Sequence, residues 1–486
     1  MDPAPAAGTE QAEPASPPRL LLVWPNGATR LLSAGFHSAC DPQVSFDGTR
    51  LLLAGRQKAS DPWNIYEAAL DGHGLRQITS GLGDCRGPCY LGTLYTLDAP
   101  APWHRIAFVG RRSGEWNESG SAPLENLYSC ERDGSSVRRL TFNLHGDADA
   151  CLLDDGRLLL AGGLPVSKGT VPFSPGRKPG QPPTGLFAVN TDGTDFSLFA
   201  EPRGKRRRHS PCVTTQGLAV FVESDVACRD RAGTLAAVTL RRPLHSYRPL
   251  TQEADGRFCS PAPLPDGRVL VCRRSPAGSD TYGVYCFDPA SGKYELVFHD
   301  PQYHTIQATL VGRRAEPDGR SSNVQDDDPH GKLYCLDVYT SDLKAPAGSV
   351  KRLRVLEGVP LRRDPAASTA GGAPPALRLL GEVAVGEDGS FNLEVPANMP
   401  IQLQTLDARG QTLRSCAWIW VKNHESRGCI GCHEDGELVP DNLFAKALGT
   451  SSVLVCPPAG QRRAVDSRRD APIPQTNVRE PERGGM

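Results

Sequence analysis

A chain of 486 residues is too long for one ordinary hydrophobic core, so two or three domains are expected. Lys and Arg total 54 against 55 Asp and Glu, a formal charge of -1, so no global field draws the chain to nucleic acid or to a membrane surface. Gly 50 and Pro 43, with few amphipathic helical patterns, exclude a helical protein and favour short strands joined by turns.

Residues 1–18 are a polar, proline-rich lead, expected to be disordered. Residues 20–24 are apolar, but five residues cannot serve as a signal-peptide core, and no run nears the roughly 18 apolar residues that span a bilayer. No signal peptide is visible in this sequence, which leaves a mature or mis-started form of an exported protein or a cytosolic one, and no membrane span is expected.

From residue 19 to 311 one unit recurs. Its first copy reads Asp41-Pro42-Gln43-Val44-Ser45-Phe46-Asp47-Gly48, then Arg50-Leu51-Leu52-Leu53. Its second half is Trp63-Asn64-Ile65-Tyr66, Asp71-Gly72, then Arg76-Gln77-Ile78-Thr79. Further copies centre on Asp133-Gly134, on Asp154-Asp155-Gly156-Arg157 and on Asp266-Gly267-Arg268. Apolar runs make strands, and each Asp-Gly supplies a positive-φ turn. Four strands per repeat of about 40 to 60 residues mark a propeller blade, which must stack in a ring to cover both its faces. The repeats resemble the TolB-type family, which implies a β-propeller; five or six blades fit, with six favoured and residues 20–24 closing the ring.

Two insertions interrupt the repeats. Residues 164–183 read as a proline-rich loop, and residues 203–208 (RGKRRR) as a solvated basic loop between blades, since no aromatics interleave them as a nucleic-acid site requires. Residues 312–330 are polar and irregular and read as the domain linker. Strand patterns resume at 332–339, 350–359, 377–385, 390–395, 401–406 and 416–421, predicting a small antiparallel β-sandwich over 331–456. Within it, 363–376 reads as a flexible insertion, and 457–486 as a disordered tail. The overall class expected is all-β.

Fifteen cysteines are present, most of them single in strand patterns (Cys212, Cys272, Cys286, Cys335), where a buried thiol acts as a small hydrophobe. No disulfide framework is inferred. The informative cysteines are in Cys429-Ile430-Gly431-Cys432-His433. In a C-x-x-C-H segment two thiols three positions apart can add to the two vinyl groups on one haem edge, and the adjacent imidazole reaches the iron. Composition alone gives about 0.01 chance matches in this chain. Gly428 and Gly431 would let the backbone pass close to the macrocycle. The competing readings are a zinc site, using Cys429, Cys432 and two of His433, His424 and Cys456, or unliganded thiols.

The order of parts, with Asp388-Gly389-Ser390-Phe391, Val395-Pro396-Ala397-Asn398-Met399-Pro400 and Arg427-Gly428-Cys429 leading into Cys432-His433-Glu434, resembles the hydrazine synthase alpha-subunit family. The resemblance implies a propeller followed by a haem-carrying middle domain. In that family a tyrosine four positions after the motif histidine holds the iron and the histidine binds zinc. Here that position is Glu437, and no second CxxCH follows. Both departures point away from hydrazine formation itself and toward His433 as an ordinary proximal ligand. Methionine is scarce as a distal ligand, Met399 being the one internal candidate; His424 and His304 are the candidates for that role, and if neither binds the iron keeps an open site. Cys85 with Cys89, His145 with Asp147 and Asp149, and His37 with Asp41 read as packing and turn residues at blade starts. No phosphate-binding loop, nucleophile elbow or HExxH is present.

The leading expectation is a single-haem c-type redox protein, transferring electrons or acting on a small molecule, with the propeller docking a redox partner. It would be periplasmic or otherwise extracytoplasmic if haem is attached. The alternatives are a non-catalytic propeller scaffold with a zinc-bound C-terminal module, and an enzyme on small nitrogen compounds.

Overall fold

The structure, a computed structural model, describes residues 17–97, 99, 101–164, 183–201, 206–225, 228, 230–340, 345–362, 376–431, 437 and 444–456. The lead before residue 17, the proline-rich loop, most of the 363–376 insertion and the tail lie outside them.

Five four-stranded antiparallel meanders follow one another along the chain. Their innermost strands are Ser38–Val44, Asp84–Tyr90, Asp147–Leu152, Arg206–Val213 and Arg257–Pro263, and each blade is named here in that order. Every Asp-Gly turn in the repeats places glycine at positive φ, as at Gly48 (74°) and Gly267 (87°). The aspartate caps the turn itself: Thr49 N donates to Asp47 Oδ1 at 3.0 Å, and Gly48 N bonds Ser45 O at 3.0 Å. Only the glycine is left-handed, so these are type I turns ending in a glycine rather than the mirror-image two-residue turn.

The innermost strands share a device that composition does not announce. Each bulges at one place, between Cys40 and Gln43, Arg86 and Cys89, Ala148 and Cys151, His209 and Cys212, or Cys259 and Ala262. Inside each bulge one residue is left-handed: Asp41 (φ 54°), Gly87 (56°), Asp149 (54°), Ser210 (49°) and Ser260 (49°). For the non-glycines this costs about 1 kcal/mol each, offset at Asp41, Asp149 and Ser210 by hydrogen bonds to the neighbouring blade. Asp41 accepts from Gly87 N at 3.0 Å, and Asp149 from Ser210 N at 3.0 Å.

Gln307 (φ 58°) repeats this junction a sixth time. Its Oε1 accepts from Asp41 N at 3.0 Å, and its Nε2 donates to Asp41 Oδ1 at 2.6 Å. The sixth sector therefore holds an innermost segment around Gln307, bonded to blade five through Thr305 N and Tyr282 O, and to blade one through Arg314 N and Phe46 O. Six full blades were favoured by the repeats. Among the described residues five are four-stranded, and the N-terminal hairpin (Leu21–Val23 with Thr29–Leu31) is a two-stranded addition flanking blade one, where Leu20 and Leu32 pack.

Between blades lie separate apolar layers. Leu52 and Ile65 of blade one meet Ile106 and Phe108 of blade two, and Ala219 and Phe221 of blade four meet Leu159 and Leu186 of blade three. Two sequence expectations change here. Residues 312–330, read as a linker, are bonded along the propeller: Arg320–Ser322 pairs in parallel with Leu94–Thr96, and Arg320 Nη1 donates to Asp155 O at 2.9 Å. Of the basic run 203–208, Arg206 to Arg208 open the innermost strand of blade four rather than a solvated loop. Arg208 is buried because Glu223 pairs with it at 2.9 Å and the Phe221 and Tyr247 rings flank it.

The second half is a sandwich of two four-stranded sheets. One runs Ser426–Cys429, His330–Cys335, Phe391–Pro396, Val453–Leu454; the other runs Ala376–Ala384, Arg352–Val359, Ile401–Leu406, Thr412–Ser415. Leu333, Val355, Leu353, Leu393, Val395 and Ile401 fill the space between them. The first sheet is antiparallel only at its centre, since both of its edge strands join in parallel. Parallel pairing demands a crossover. For Ser426–Cys429 that crossover is residues 416–425, and it carries the chain across the propeller. No helix among the described residues is long and apolar enough to cross a membrane.

Candidate functional site

The segment leading into Cys429 is apolar on both faces because both are covered. Ile419 and Val421 point into the sandwich core. The alternate residues Trp418, Trp420 and Lys422 point into the propeller. Trp418 Nε1 donates to Glu118 Oε2 at 2.9 Å, and His145 Nε2 lies 3.0 Å from the same oxygen. Trp420 Nε1 donates to Gly193 O at 3.1 Å, and its ring meets Phe196 at 4.1 Å between centroids. Lys422 Nζ donates to Arg139 O at 3.0 Å. After a reversal at His424 (φ 63°), Glu425 accepts from Asp195 N at 2.8 Å and Lys422 N at 2.6 Å. Burial holds the Glu425 carboxyl above its usual range. Arg427 donates to Trp420 O at 3.0 Å and to Phe196 O. A fifth strand on blade two, Leu361–Arg362 paired with Trp116 and Glu115, ties the halves together again.

Cys429 closes this strand, half-buried, opposite Cys335. Its carbonyl accepts from Leu336 N at 3.0 Å, and Ile430 O accepts from Asp337 N at 3.1 Å. It packs on the sandwich core beside Cys416, whose thiol burial pushes up to about 12. Glycine is needed here for close packing against protein. A Cβ on Gly428 would stand 2.5 Å from the Tyr334 ring, and one on Gly431 would overlap Thr340 O. The expected role of these glycines, clearance for a macrocycle, has this protein contact beside it. Gly431→Ala is expected to cost about 1–3 kcal/mol through overpacking, read as a lower urea midpoint. An unchanged midpoint would show that the Thr340 contact yields freely.

The donor set suits haem attachment: two thiols at C-x-x-C spacing and an adjacent imidazole. Cys432 and His433 lie outside the described residues. Beyond them Glu437, at the position the resembling family fills with tyrosine, accepts from Leu244 N at 2.6 Å and Arg242 Nε at 3.2 Å. The carboxylate is thus engaged with the turn after the third strand of blade four.

The other named donors are spread. His424 precedes the strand that Cys429 ends, so the length of Ser426–Cys429, about 10 Å, separates them. Its Nδ1 lies 2.9 Å from Asp328 Oδ2. Cys456 follows Val453–Leu454 at the far edge of the sheet, about 14 Å across the strands from Cys429. The structure thus does not gather His424 and Cys456 around Cys429; the zinc reading, which takes Cys432 and two of His433, His424 and Cys456, turns on residues outside the described ones. Among the described residues no group of three His, Cys, Asp or Glu side chains is placed to hold a metal. His304 belongs to blade five, where Tyr282 N donates to its Nδ1 at 3.1 Å, while the Cys429 strand docks on blades two and three. Met399 packs on the sandwich core. Cys85 and Cys89 lie in the innermost strand of blade two, and burial raises both thiols, to about 12 and about 11. His37 lies beside Ser38 at the entry to blade one, its Nδ1 2.8 Å from Ser38 Oγ. A cleft of about 580 Å³ on blade two, lined by Phe108, Tyr128, Arg112 and Arg362, is separate from the Cys429 segment.

The sequence reading missed Glu118, Lys422, Glu425 and Arg427. The available signal was a strand with tryptophan on one face and Ile or Val on the other, which only a doubly covered strand requires.

Fold and site together define a propeller fused to a sandwich, with Cys429, the first residue of the CxxCH segment, ending the strand that leads out of their junction. Residues 348–434 match the hydrazine synthase alpha subunit middle domain. Hydrazine synthase subunit alpha of Kuenenia stuttgartiensis is 25% identical over 522 aligned residues, covering 86% of this chain and 63% of that protein. The solved hydrazine synthase of Kuenenia stuttgartiensis superposes with a TM-score of 0.76 at 23% identity, covering 89% of this chain and 67% of that one. A putative TolB of Agrobacterium tumefaciens aligns over 56% of this chain at 16% identity, with a TM-score of 0.38. The chain is thus similar to hydrazine synthase subunit alpha, and it spans 63% of the length of that curated relative.

Proposed function

We propose that this chain is the haem-carrying subunit of a redox enzyme acting on small nitrogen compounds, with one haem c bound through Cys429 and Cys432 and His433 as its proximal ligand. The observation that carries this is a C-x-x-C-H segment in the stretch that matches the middle domain of hydrazine synthase alpha. Haem supplies one-electron chemistry and, where a coordination position is open, binding of a small ligand. The protein's own part is to fix the segment. The parallel pairing with His330–Cys335, the Arg427 bonds and the Glu437 contact with blade four hold both its ends. Since Glu437 is bonded to Leu244 and Arg242, it is not offered to the iron as the family's tyrosine is, which supports a reaction other than hydrazine formation. Haem of this type is attached outside the cytoplasm, so an extracytoplasmic location belongs to the same proposal, as does a protein redox partner.

The test is the full chain, fused to an export signal, made in a host with haem-attachment machinery. The expected result is a red protein whose Soret band survives acid–acetone extraction and whose Cys429–Cys432 peptide gains the mass of one haem. Cys429→Ser with Cys432→Ser should abolish the covalent mass gain. A colourless product with both thiols alkylatable, or with bound zinc instead, would overturn the assignment.

A further inference from the structure

Two pairs of cysteines are register neighbours in the described sheets. Cys335 lies opposite Cys429 in a parallel pair, but its thiol is directed to Ile430 O at 3.9 Å. Cys259 and Cys272 differ: they stand directly opposite one another on antiparallel strands of blade five, one residue before the bulge at Ser260. The neighbouring Cys272 thiol, and then burial, push the Cys259 thiol up, while Cys259 lowers that of Cys272. Directly opposed residues of an antiparallel pair have Cα atoms about 4.5–5.5 Å apart, inside the range a disulfide bridges. Their side chains leave the sheet on the same face, so no backbone rearrangement is required to bring sulfur to sulfur.

The surroundings set this pair apart from the other buried thiols. Cys272 is fully buried, and it packs with Cys259, Val284 and Tyr282 on the face of blade five that Ala308 covers. Ala308, the neighbour of Gln307, packs in the same cluster as Cys272. The pair therefore sits at the seam where the Gln307 segment joins the last full blade to the first. Among the described residues that seam lacks the four-stranded neighbour that the other blade junctions have, so it is where a covalent link within the hairpin would add most to the rigidity of the ring.

We propose that Cys259 and Cys272 form a reversible disulfide that staples the innermost hairpin of blade five at the propeller seam. The oxidant is an external disulfide compound. Both thiol S–H bonds break and one S–S bond forms; the two electrons and two protons reduce the oxidant to two thiols. The Cys429 segment takes no part, so the outcome is independent of haem attachment.

The test uses the full chain incubated with oxidised glutathione, or with dithiothreitol, then denatured in the presence of an alkylating reagent and digested. The oxidised sample should yield peptides joined through Cys259 and Cys272, about 2 Da lighter than the sum of the free peptides. Reduction should release both and add two alkylation sites there. In Cys272→Ser the joined species should vanish and Cys259 should carry alkyl or glutathione instead. Separate alkylation of both cysteines in the oxidised wild-type protein, separate glutathione adducts, or linkage of either to a different cysteine would each overturn the proposal, with no variant needed.

Discussion

Trp420→Ala should lower stability by about 4 kcal/mol and turn a cooperative denaturant transition into two. The side chain is 1% exposed, and although it belongs to the sandwich half of the chain, its neighbours Phe142, Phe196, Leu140 and Phe187 are all residues of the propeller. Removing the indole opens a cavity among them and leaves Gly193 O without the 3.1 Å bond from Nε1. The contact couples two cores, so its loss should both destabilise and uncouple. Guanidinium unfolding followed by far-UV circular dichroism and by tryptophan fluorescence would report this as curves that no longer coincide. Coincident curves at an unchanged midpoint would mean that the strand's other bonds hold the halves together without the indole.

The size of that expectation follows from what surrounds Trp420. Lys422 and Glu425 are buried polar groups that belong to the same strip, and Lys422 Nζ is bonded to Arg139 O and the Glu425 carboxylate to Asp195 N, both across the junction, and to Lys422 N within the strip. A buried polar group stripped of its partners costs a few kcal/mol. Separation of the halves would strip several at once, so the junction opens as a unit or not at all. That rigidity bears on the proposed haem segment, which begins two residues after Arg427 and inherits its position.

How much of this was legible in the sequence differs by level. The blades were legible, because Asp-Gly turns and apolar runs act locally: a glycine at positive φ and a capping aspartate specify a turn wherever they occur. The closing of the ring was not. Gln307 mimics Asp41 and Asp149 in the backbone, but nothing in Ile306-Gln307-Ala308 resembles Cys40-Asp41-Pro42 as letters, and the relation appears only as a hydrogen bond across 266 residues. The packing of 312–330 on the propeller was not legible for a related reason. Polar, irregular sequence looks solvated, yet Arg314 and Arg320 find backbone carbonyls on the propeller to satisfy. Cys429 was legible through the spacing of its motif, while the pairing that holds it, parallel and non-local, leaves no periodic trace.

The other large expected effect is a loss of stability on mild acidification that His209→Gln removes. His209 is 2% exposed, with Nδ1 3.1 Å from Ser210 Oγ and Nε2 3.0 Å from Ser224 Oγ. Burial, and then the Arg231 guanidinium, lower its folded-state pKa to about 3. In the unfolded chain the same imidazole takes up its proton near 6.5. Between those two values the unfolded state binds the extra proton, so stability is full above about pH 6.5 and falls as pH decreases, by up to about 1.4 kcal/mol per pH unit. The whole window amounts to about 5 kcal/mol. Asp149 and Asp41, held below the usual carboxylate range by Arg231 and Arg86 against the opposing effect of burial, contribute with the same sign but only at lower pH. His145, also lowered by burial, acts in the same window and direction. Urea midpoints at about pH 5, 6 and 7 should therefore fall with acid in the wild type and fall less steeply, by nearly one proton's worth, in His209→Gln. The pH 7 midpoint of the variant serves as its own reference, so a general loss of packing cannot mimic the change in slope. Equal slopes in the two proteins would show that His209 is reached by water in the native state and titrates there as it does in the unfolded chain.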